Sequence, residues 1–176
     1  MKRRSGIQIM GKLIGLIRPL MHVMAAAILL GVTGYLCAIF LTVLAGVGIL
    51  QIMGIWQGVS LTTLFVCLAV IAVLRGILHY GEQACNHYIA FKLLALIRHK
   101  VFAVLRKLCP AKLDGRDKGN LISIITTDIE LLEVFYAHTI SPIAIAFLTS
   151  LIMEIFFFRY HVLIGLFALV GYLAIG

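Results

Sequence analysis

The sequence predicts an all-α protein, a polytopic bundle of membrane-spanning helices. Of its 176 residues, 62% are hydrophobic and 12% are charged, whereas a soluble domain is about half apolar and about a quarter charged. No Asp, Glu, Lys or Arg lies between Arg18 and Arg75, and about 20 apolar residues suffice for a helix to cross a bilayer. The net charge of +8 is concentrated outside the apolar runs, so it indicates membrane topology and no nucleic-acid partner is expected.

Residues 1–18 predict a cytoplasmic amphipathic lead-in rather than a signal peptide. No A-x-A-like cleavage site follows a short apolar run, and the later apolar stretches are too long for the core of a signal peptide. We expect the basic side chains of this segment to face lipid headgroups and solvent. These are Lys2, Arg3, Arg4, Lys12 and Arg18.

Residues 19–176 predict three complete spans and a fourth that is too short to finish a crossing. The spans are expected at about 21–47, 61–90, 140–158 and 162–176. Glycines predict where span 1 ends and a turn region follows, namely Gly46, Gly48, Gly54 and Gly58.

Prolines set the expected limits of spans 2 and 3. No proline interrupts the chain from span 2 until Pro110, so the second helix is expected to continue to residue 108 as an amphipathic cytoplasmic extension. Pro142 predicts either the start of span 3 or a kink in its first turns.

The basic residues also predict orientation. Five Lys and Arg residues precede span 1, eight lie between spans 2 and 3, and only Arg159 lies on the other side. By the positive-inside rule the N-terminus is cytoplasmic, with residues 44–60 outside and 91–139 inside. In a bacterium this corresponds to a multi-pass protein of the plasma (inner) membrane.

The sequence predicts no catalytic, cofactor or metal site in this segment. Its four cysteines, Cys37, Cys67, Cys85 and Cys109, show no C-x-x-C spacing and are expected to act as small apolar residues. The G-x-x-x-x-G-K spacing from Gly6 to Lys12 lacks the Ser or Thr of a phosphate-binding loop, and no strand precedes it.

Span 2 carries a polar stripe formed by Arg75, His79, Glu82 and Asn86. Spacings of four, three and four place these residues on one helix face, and charges at membrane depth normally face a bundle interior or a water-filled cavity. The stripe therefore predicts either a pathway lining that contacts an anionic substrate or a structural His79–Glu82 pair. The small residues Gly31 and Gly34 are expected to permit close helix packing.

The histidines leave open a function from another class. A polytopic redox or haem-binding membrane subunit could use His79 or His87, although the sequence identifies no second ligand. His99, His138 and His161 carry no specific prediction. A further alternative is a truncated product that does not transport.

The segment 110–130 combines turn signals with a short apolar stripe. Pro110, Gly115 and Gly119 predict turns. Apolar residues then recur at helical spacing, at Leu121, Ile122, Ile125 and Ile129. If the second helix is unbroken, lipid cannot cover this stripe, so we expect a protein partner.

The motif within this segment resembles ABC exporters. Gly119-Asn-Leu121-Ile-Ser123-Ile-Ile-Thr-Thr-Asp128 is similar to the G-x-L-x-S-x-x-x-x-D stretch between the second and third membrane helices of that family. Within that family the chain most resembles the C-type subunit of the heterodimeric thiol-reductant exporter needed for cytochrome bd assembly. The resemblance rests on Pro110-Ala-x-Leu before the motif, on Tyr136 and Ser-Pro142 after it, and on His79-Tyr-x-Glu in span 2.

The resemblance implies the N-terminal portion of an exporter transmembrane domain of the type I fold. In that family the segment is the first coupling helix, which docks on a nucleotide-binding domain supplied in cis or in trans, and ATP and Mg²⁺ bind to that domain. The resemblance also implies a second subunit, with which the chain would form a heterodimer. It further implies that the cargo is a small thiol or a related solute. The implied coupling residues are Gly119, Leu121, Ile122, Ser123, Ile125 and Asp128. Three positions depart from the family pattern: Ile124 replaces an Arg, and His79 and Gln83 replace basic residues.

Overall fold

The structure is a computed structural model that describes residues 15, 18–108, 119 and 123–175. Every described secondary-structure element is helical, which confirms the predicted all-α fold. The chain forms two compact units. Unit 1 comprises Met1–Ala27 and Gln83–Ser141, and unit 2 comprises Ile28–Glu82 and Pro142–Gly176.

Helix α1 spans Met21–Ile52 and follows a 3₁₀ turn at Arg18–Leu20. Two residues beyond its end lies Gly54, whose φ is +73°. The Gly54 N–H donates to the Gln51 carbonyl, and the Ile55 N–H donates to the Leu50 carbonyl, both at 3.0 Å. These two bonds satisfy the last carbonyls of the helix in a Schellman motif, which requires a left-handed residue and therefore favours glycine.

The sequence prediction for the end of this helix was wrong by one turn or more. Gly46 and Gly48 lie inside α1, and only Gly54 has positive φ. Glycine tolerates helical dihedrals as well as left-handed ones, so the presence of a glycine alone does not locate the turn.

Helix α2 spans Leu61–Leu108 without interruption, a length of 48 residues. Ser60 caps it: the Ser60 hydroxyl accepts the Thr63 N–H at 3.1 Å and lies 2.8 Å from the Thr63 hydroxyl. Such a cap satisfies one of the free N–H groups of the first turn. At a rise of about 1.5 Å per residue the helix is about 70 Å long, more than twice the thickness of the hydrocarbon layer.

A π-helical turn at Ile124–Asp128 is followed directly by helix α3 at Ile129–Phe135. A second π-helical turn at Tyr136–Ile140 leads into helix α4, Ser141–Tyr160. Pro142 is the second residue of α4. The residues directly before α4 are already helical in the π pattern, so the chain changes from π to α geometry near Pro142 and no separate helix starts there.

Helix α5, Val162–Ile175, follows α4 after a single non-helical residue, His161. The His161 Nδ1 accepts the Leu163 N–H at 3.2 Å, and its carbonyl accepts the Gly165 N–H at 3.1 Å. The imidazole thus caps the first turn of α5. A Cβ on Gly165 would lie 2.7 Å from the Phe158 ring, so this glycine permits the ring of Phe158 to lie against the first turn of α5.

Three described helical segments are long and apolar enough to cross a membrane: Arg18–Ile52, Leu61–Lys107 and His138–Tyr160. A shorter apolar helix covers Val162–Ala174. Many large apolar side chains of these segments are exposed, among them Phe40, Phe65, Phe147 and Phe167. An apolar exterior of this extent fits contact with lipid rather than with water.

Candidate functional site

Unit 2 contains a cleft of about 360 Å³ between α1 and α2. Small residues form much of its wall, and polar side chains of α2 project along it. The lining residues are Gly31, Gly34, Tyr35, Ala72, Arg75, Gly76, His79 and Glu82. Three of the four predicted stripe residues are therefore in this cleft.

His79 and Glu82 form a pair one helical turn apart. The His79 Nδ1 lies 3.2 Å from the Glu82 Oε2, and because a carboxylate can only accept, the ring N–H is the donor. The Glu82 side chain is only 7% exposed, whereas that of His79 is 64% exposed. His79 gives the buried Glu82 carboxylate a partner, as the structural alternative predicts. The same His79 imidazole also lines the cleft, so the pair is compatible with a pathway lining as well.

Arg75 lines the same cleft and is exposed. Among the residues that the structure describes, the ion pairs are His79–Glu82 and Arg98–Glu130, so Arg75 has no carboxylate partner there. A guanidinium can donate five hydrogen bonds in a planar fork. Arg75 is thus available for an anionic group in the cleft.

Gly31 lies where α1, α2 and α4 meet. A Cβ built on it would lie 2.9 Å from the Ile145 Cγ1 and 3.3 Å from the Glu82 Cδ. Gly34 is less tightly packed, with the Leu78 Cβ at 3.7 Å from its Cβ position. Gly31 therefore permits the approach that buries Glu82.

Asn86, the fourth stripe residue, belongs to unit 1 and does not line the cleft. It is 2% exposed, and its Oδ1 has no hydrogen-bond partner in the described part of the chain. The polar stripe thus continues along α2, but Asn86 is buried rather than presented to the cleft.

His87, a candidate ligand in the haem alternative, and His138, which carried no specific prediction, have defined neighbours. His87 of α2 stacks on Phe91 with ring centroids 5.9 Å apart. It also meets His138, in the second π-helical turn, edge to face at 6.1 Å. Across the described ranges no three His, Cys, Asp or Glu side chains group as metal ligands would.

The coupling-helix residues are described only in part. Leu121 and Ile122 lie outside the described residues. Gly119 and Ser123 are helical and exposed, Ile125 is half-buried in the first π-helical turn, and Asp128 ends that turn. A helical segment is therefore present at 123–128, but its hydrogen-bonding pattern is π rather than α.

One ion pair connects the residues after this turn to α2. The Arg98 Nη2 donates to the Glu130 Oε1 at 3.2 Å, across 32 positions of sequence. Both side chains are partly exposed, at 37% and 59%. No periodicity in the sequence indicated this contact.

Glu154 is a residue that the sequence analysis missed. It lies in the apolar helix α4, and both carboxylate oxygens are buried without a hydrogen-bond partner among the described residues. Ser141 and Thr149 of the same helix also have buried hydroxyl oxygens without a described partner. The signal was available, because an acidic residue inside a membrane-length apolar run is by itself a candidate functional residue.

Comparisons with known proteins point to one class. No protein-family model matches the chain. A "Probable ABC transporter ATP-binding/permease protein" of Haemophilus influenzae is 48% identical over 174 residues, which cover 99% of this chain and 32% of that protein.

Two further relatives have a more specific name, "Glutathione/L-cysteine transport system ATP-binding/permease protein CydC". The Escherichia coli protein is 30% identical over 84 residues, and the H. influenzae protein is 26% identical over 85 residues. Each match covers 48% of this chain and 15% of the relative. The chain thus spans about a third or less of the length of the curated relatives it matches, and the resemblance to the C-type subunit has the weaker support. At the level these matches support, the chain is a homologue of ABC transporter ATP-binding/permease proteins.

Proposed function

We propose that this chain is membrane-spanning sequence of an ATP-driven ABC exporter subunit, where it forms part of the translocation pathway and couples it to a nucleotide-binding domain. The observation that carries the proposal is the 48% identity over 174 residues to an ATP-binding/permease protein. Three helices of membrane-crossing length within the same residues support it.

The cleft of unit 2 is the proposed pathway lining. Arg75 and His79 are exposed there, and the Gly31 and Gly34 backbones make room beside them. Ionisable groups at membrane depth are costly unless they serve a cavity or a partner. In this proposal Arg75 contacts an anionic group of the cargo, and Glu82 holds the His79 ring in place.

The segment 119–127 is the proposed coupling element. Ser123, Thr126 and Thr127 are exposed and Ile125 is half-buried, so the described part of the segment offers a surface to a partner. The partner is a nucleotide-binding domain, in cis or in trans, which binds ATP and Mg²⁺. The chain's own residues take no part in hydrolysis.

The proposed cargo is a small thiol or a related solute. The support is the name of the two CydC relatives, a glutathione/L-cysteine transport system, whose matches cover about half of this chain. By the same analogy we propose a heterodimer in the bacterial inner membrane. The N-terminus is assigned to the cytoplasm on the distribution of basic residues.

Transport in inverted membrane vesicles tests the proposal. Vesicles containing the complete transporter should accumulate labelled cysteine or glutathione when ATP is added, and should not do so with a non-hydrolysable analogue. Accumulation of another solute under the same conditions would support the exporter function and contradict the proposal that its cargo is a thiol. If neither class of solute accumulates in response to ATP, the exporter proposal is wrong.

A further inference from the structure

We propose that Arg98 is a positioning residue that holds α3, at the exit of the coupling segment, against α2, so that α3 and the unit 1 part of α2 move together when the segment is displaced. The inference rests on the proposed function. It concerns unit 1 alone and uses contacts that neither the resemblance nor the relatives assign.

The first contact is ionic. Arg98 lies on the part of α2 that extends beyond the predicted membrane span, and Glu130 lies in the first turn of α3. The Arg98 Nη2 lies 3.2 Å from the Glu130 Oε1 and joins α2 to the first turn of α3, across 32 positions of sequence.

A second contact joins the same parts of the chain nearer the membrane. His87 of α2 meets His138 of the second π-helical turn at a centroid distance of 6.1 Å. Arg98 pairs with Glu130, whereas His87, which is earlier on α2, pairs with His138, which is later in the chain. The two stretches therefore run antiparallel. Ile129, next to Glu130, is 4% exposed, which gives the ionic contact a buried apolar neighbour.

These contacts form a two-point clamp, which we define as Arg98–Glu130 and His87–His138. Residues 123–160 are helical without a break, so the coupling segment continues directly into α4. The clamp adds a lateral connection to α2. Without the ionic contact, displacement of the segment would move α3 and leave the neighbouring part of α2 behind.

Charge reversal tests the inference. An exposed ion pair is weak, so in R98E or E130R we expect about a two- to fivefold loss of cargo transported per ATP hydrolysed, with expression and basal ATPase retained. The double variant R98E/E130R should recover most of the ratio, because the pair is restored with opposite polarity. R106E is the matched control, since Arg106 is an exposed basic residue of α2 outside the clamp.

Cross-linking separates geometry from function. In a background without native cysteines, Arg98→Cys and Glu130→Cys should be joined by a short bifunctional reagent in the complete transporter without ATP. Failure to cross-link would overturn the clamp. A cross-linked pair with equal coupling ratios in R98E, E130R, R106E and wild type would overturn its role. If the wild type shows no ATP-driven transport at all, the proposed function fails first and the inference falls with it.

Discussion

The side chain of Ile145 fills the space that a Cβ atom on Gly31 would occupy. The Ile145 Cγ1 lies 2.9 Å from that Cβ position, and the Glu82 Cδ lies 3.3 Å from it. Ile145 is 1% exposed, so its side chain has little room to move aside. The absence of a side chain at Gly31 is therefore what lets α4 approach α1 beside the cleft.

Gly31→Ala should destabilise the protein by about 1–3 kcal/mol, because an added methyl group must displace a packed neighbour. The measurement is the thermal unfolding midpoint in detergent. Gly46→Ala is the matched control in the same helix, since no described atom lies within 4 Å of its Cβ position. It should be neutral or stabilising by up to about 1 kcal/mol. Equal midpoints for the two variants would show that the Ile145 contact does not determine the approach.

Glu154→Gln should insert and fold at least as well as the native protein. Both carboxylate oxygens are buried without a described partner, and an amide keeps the shape of the side chain without a charge. Glu154→Lys should reduce the folded yield, since a longer cation must be buried there without a partner. Monodisperse yield in size-exclusion chromatography measures both. Lower yield for Gln than for Lys would mean that a negative charge is needed at this position.

Arg75→Leu should lower substrate-stimulated ATPase activity of the complete transporter by about tenfold, because the loss of a charged hydrogen-bond donor to an anion costs about 1.5–3 kcal/mol. Expression should be retained, as Arg75 has no described ion-pair partner. Arg159→Leu serves as the control, since Arg159 ends α4 and does not line the cleft. Normal transport by Arg75→Leu would leave the stripe with a structural role only.

The topology is tested by single cysteines in a background without the native ones. A membrane-impermeant thiol reagent added outside should label a cysteine at Gln57, in the turn between α1 and α2, and should not label one at Lys112. Permeabilised cells should show both sites labelled. External labelling at Lys112 would invert the orientation that the basic residues predict.

The sequence was most informative where a single local rule applies. The absence of proline between residue 61 and Pro110 predicted that α2 is continuous. The end of α1 was harder to predict from the sequence, because Gly46 and Gly54 are both glycines. Only packing and the hydrogen bonds of the turn decide which of the two adopts a positive φ.

Contacts between distant residues could not be read from periodicity. Arg98 and Glu130 lie on different helices, and so do His87 and His138, and their pairing depends on how α3 lies along α2. The two π-helical turns have the same origin, since an extra residue in a turn is set by packing around it. The Arg75–His79–Glu82 group was predictable because a helix determines its own surface neighbours.

Coupling between ATP hydrolysis and transport is the central claim, and a double substitution in the coupling segment tests it most directly. Leu121→Asp with Ile125→Asp in the complete transporter should leave membrane insertion intact and retain ATP hydrolysis, while transport per ATP in proteoliposomes falls severalfold. The reason is that apolar side chains of this size each contribute about 1.5–3 kcal/mol when a partner buries them. The control is Leu131→Asp with Val134→Asp, two exposed residues of α3 outside the segment, which should leave the ratio near the native value. A native ratio in the Leu121/Ile125 variant would contradict the account.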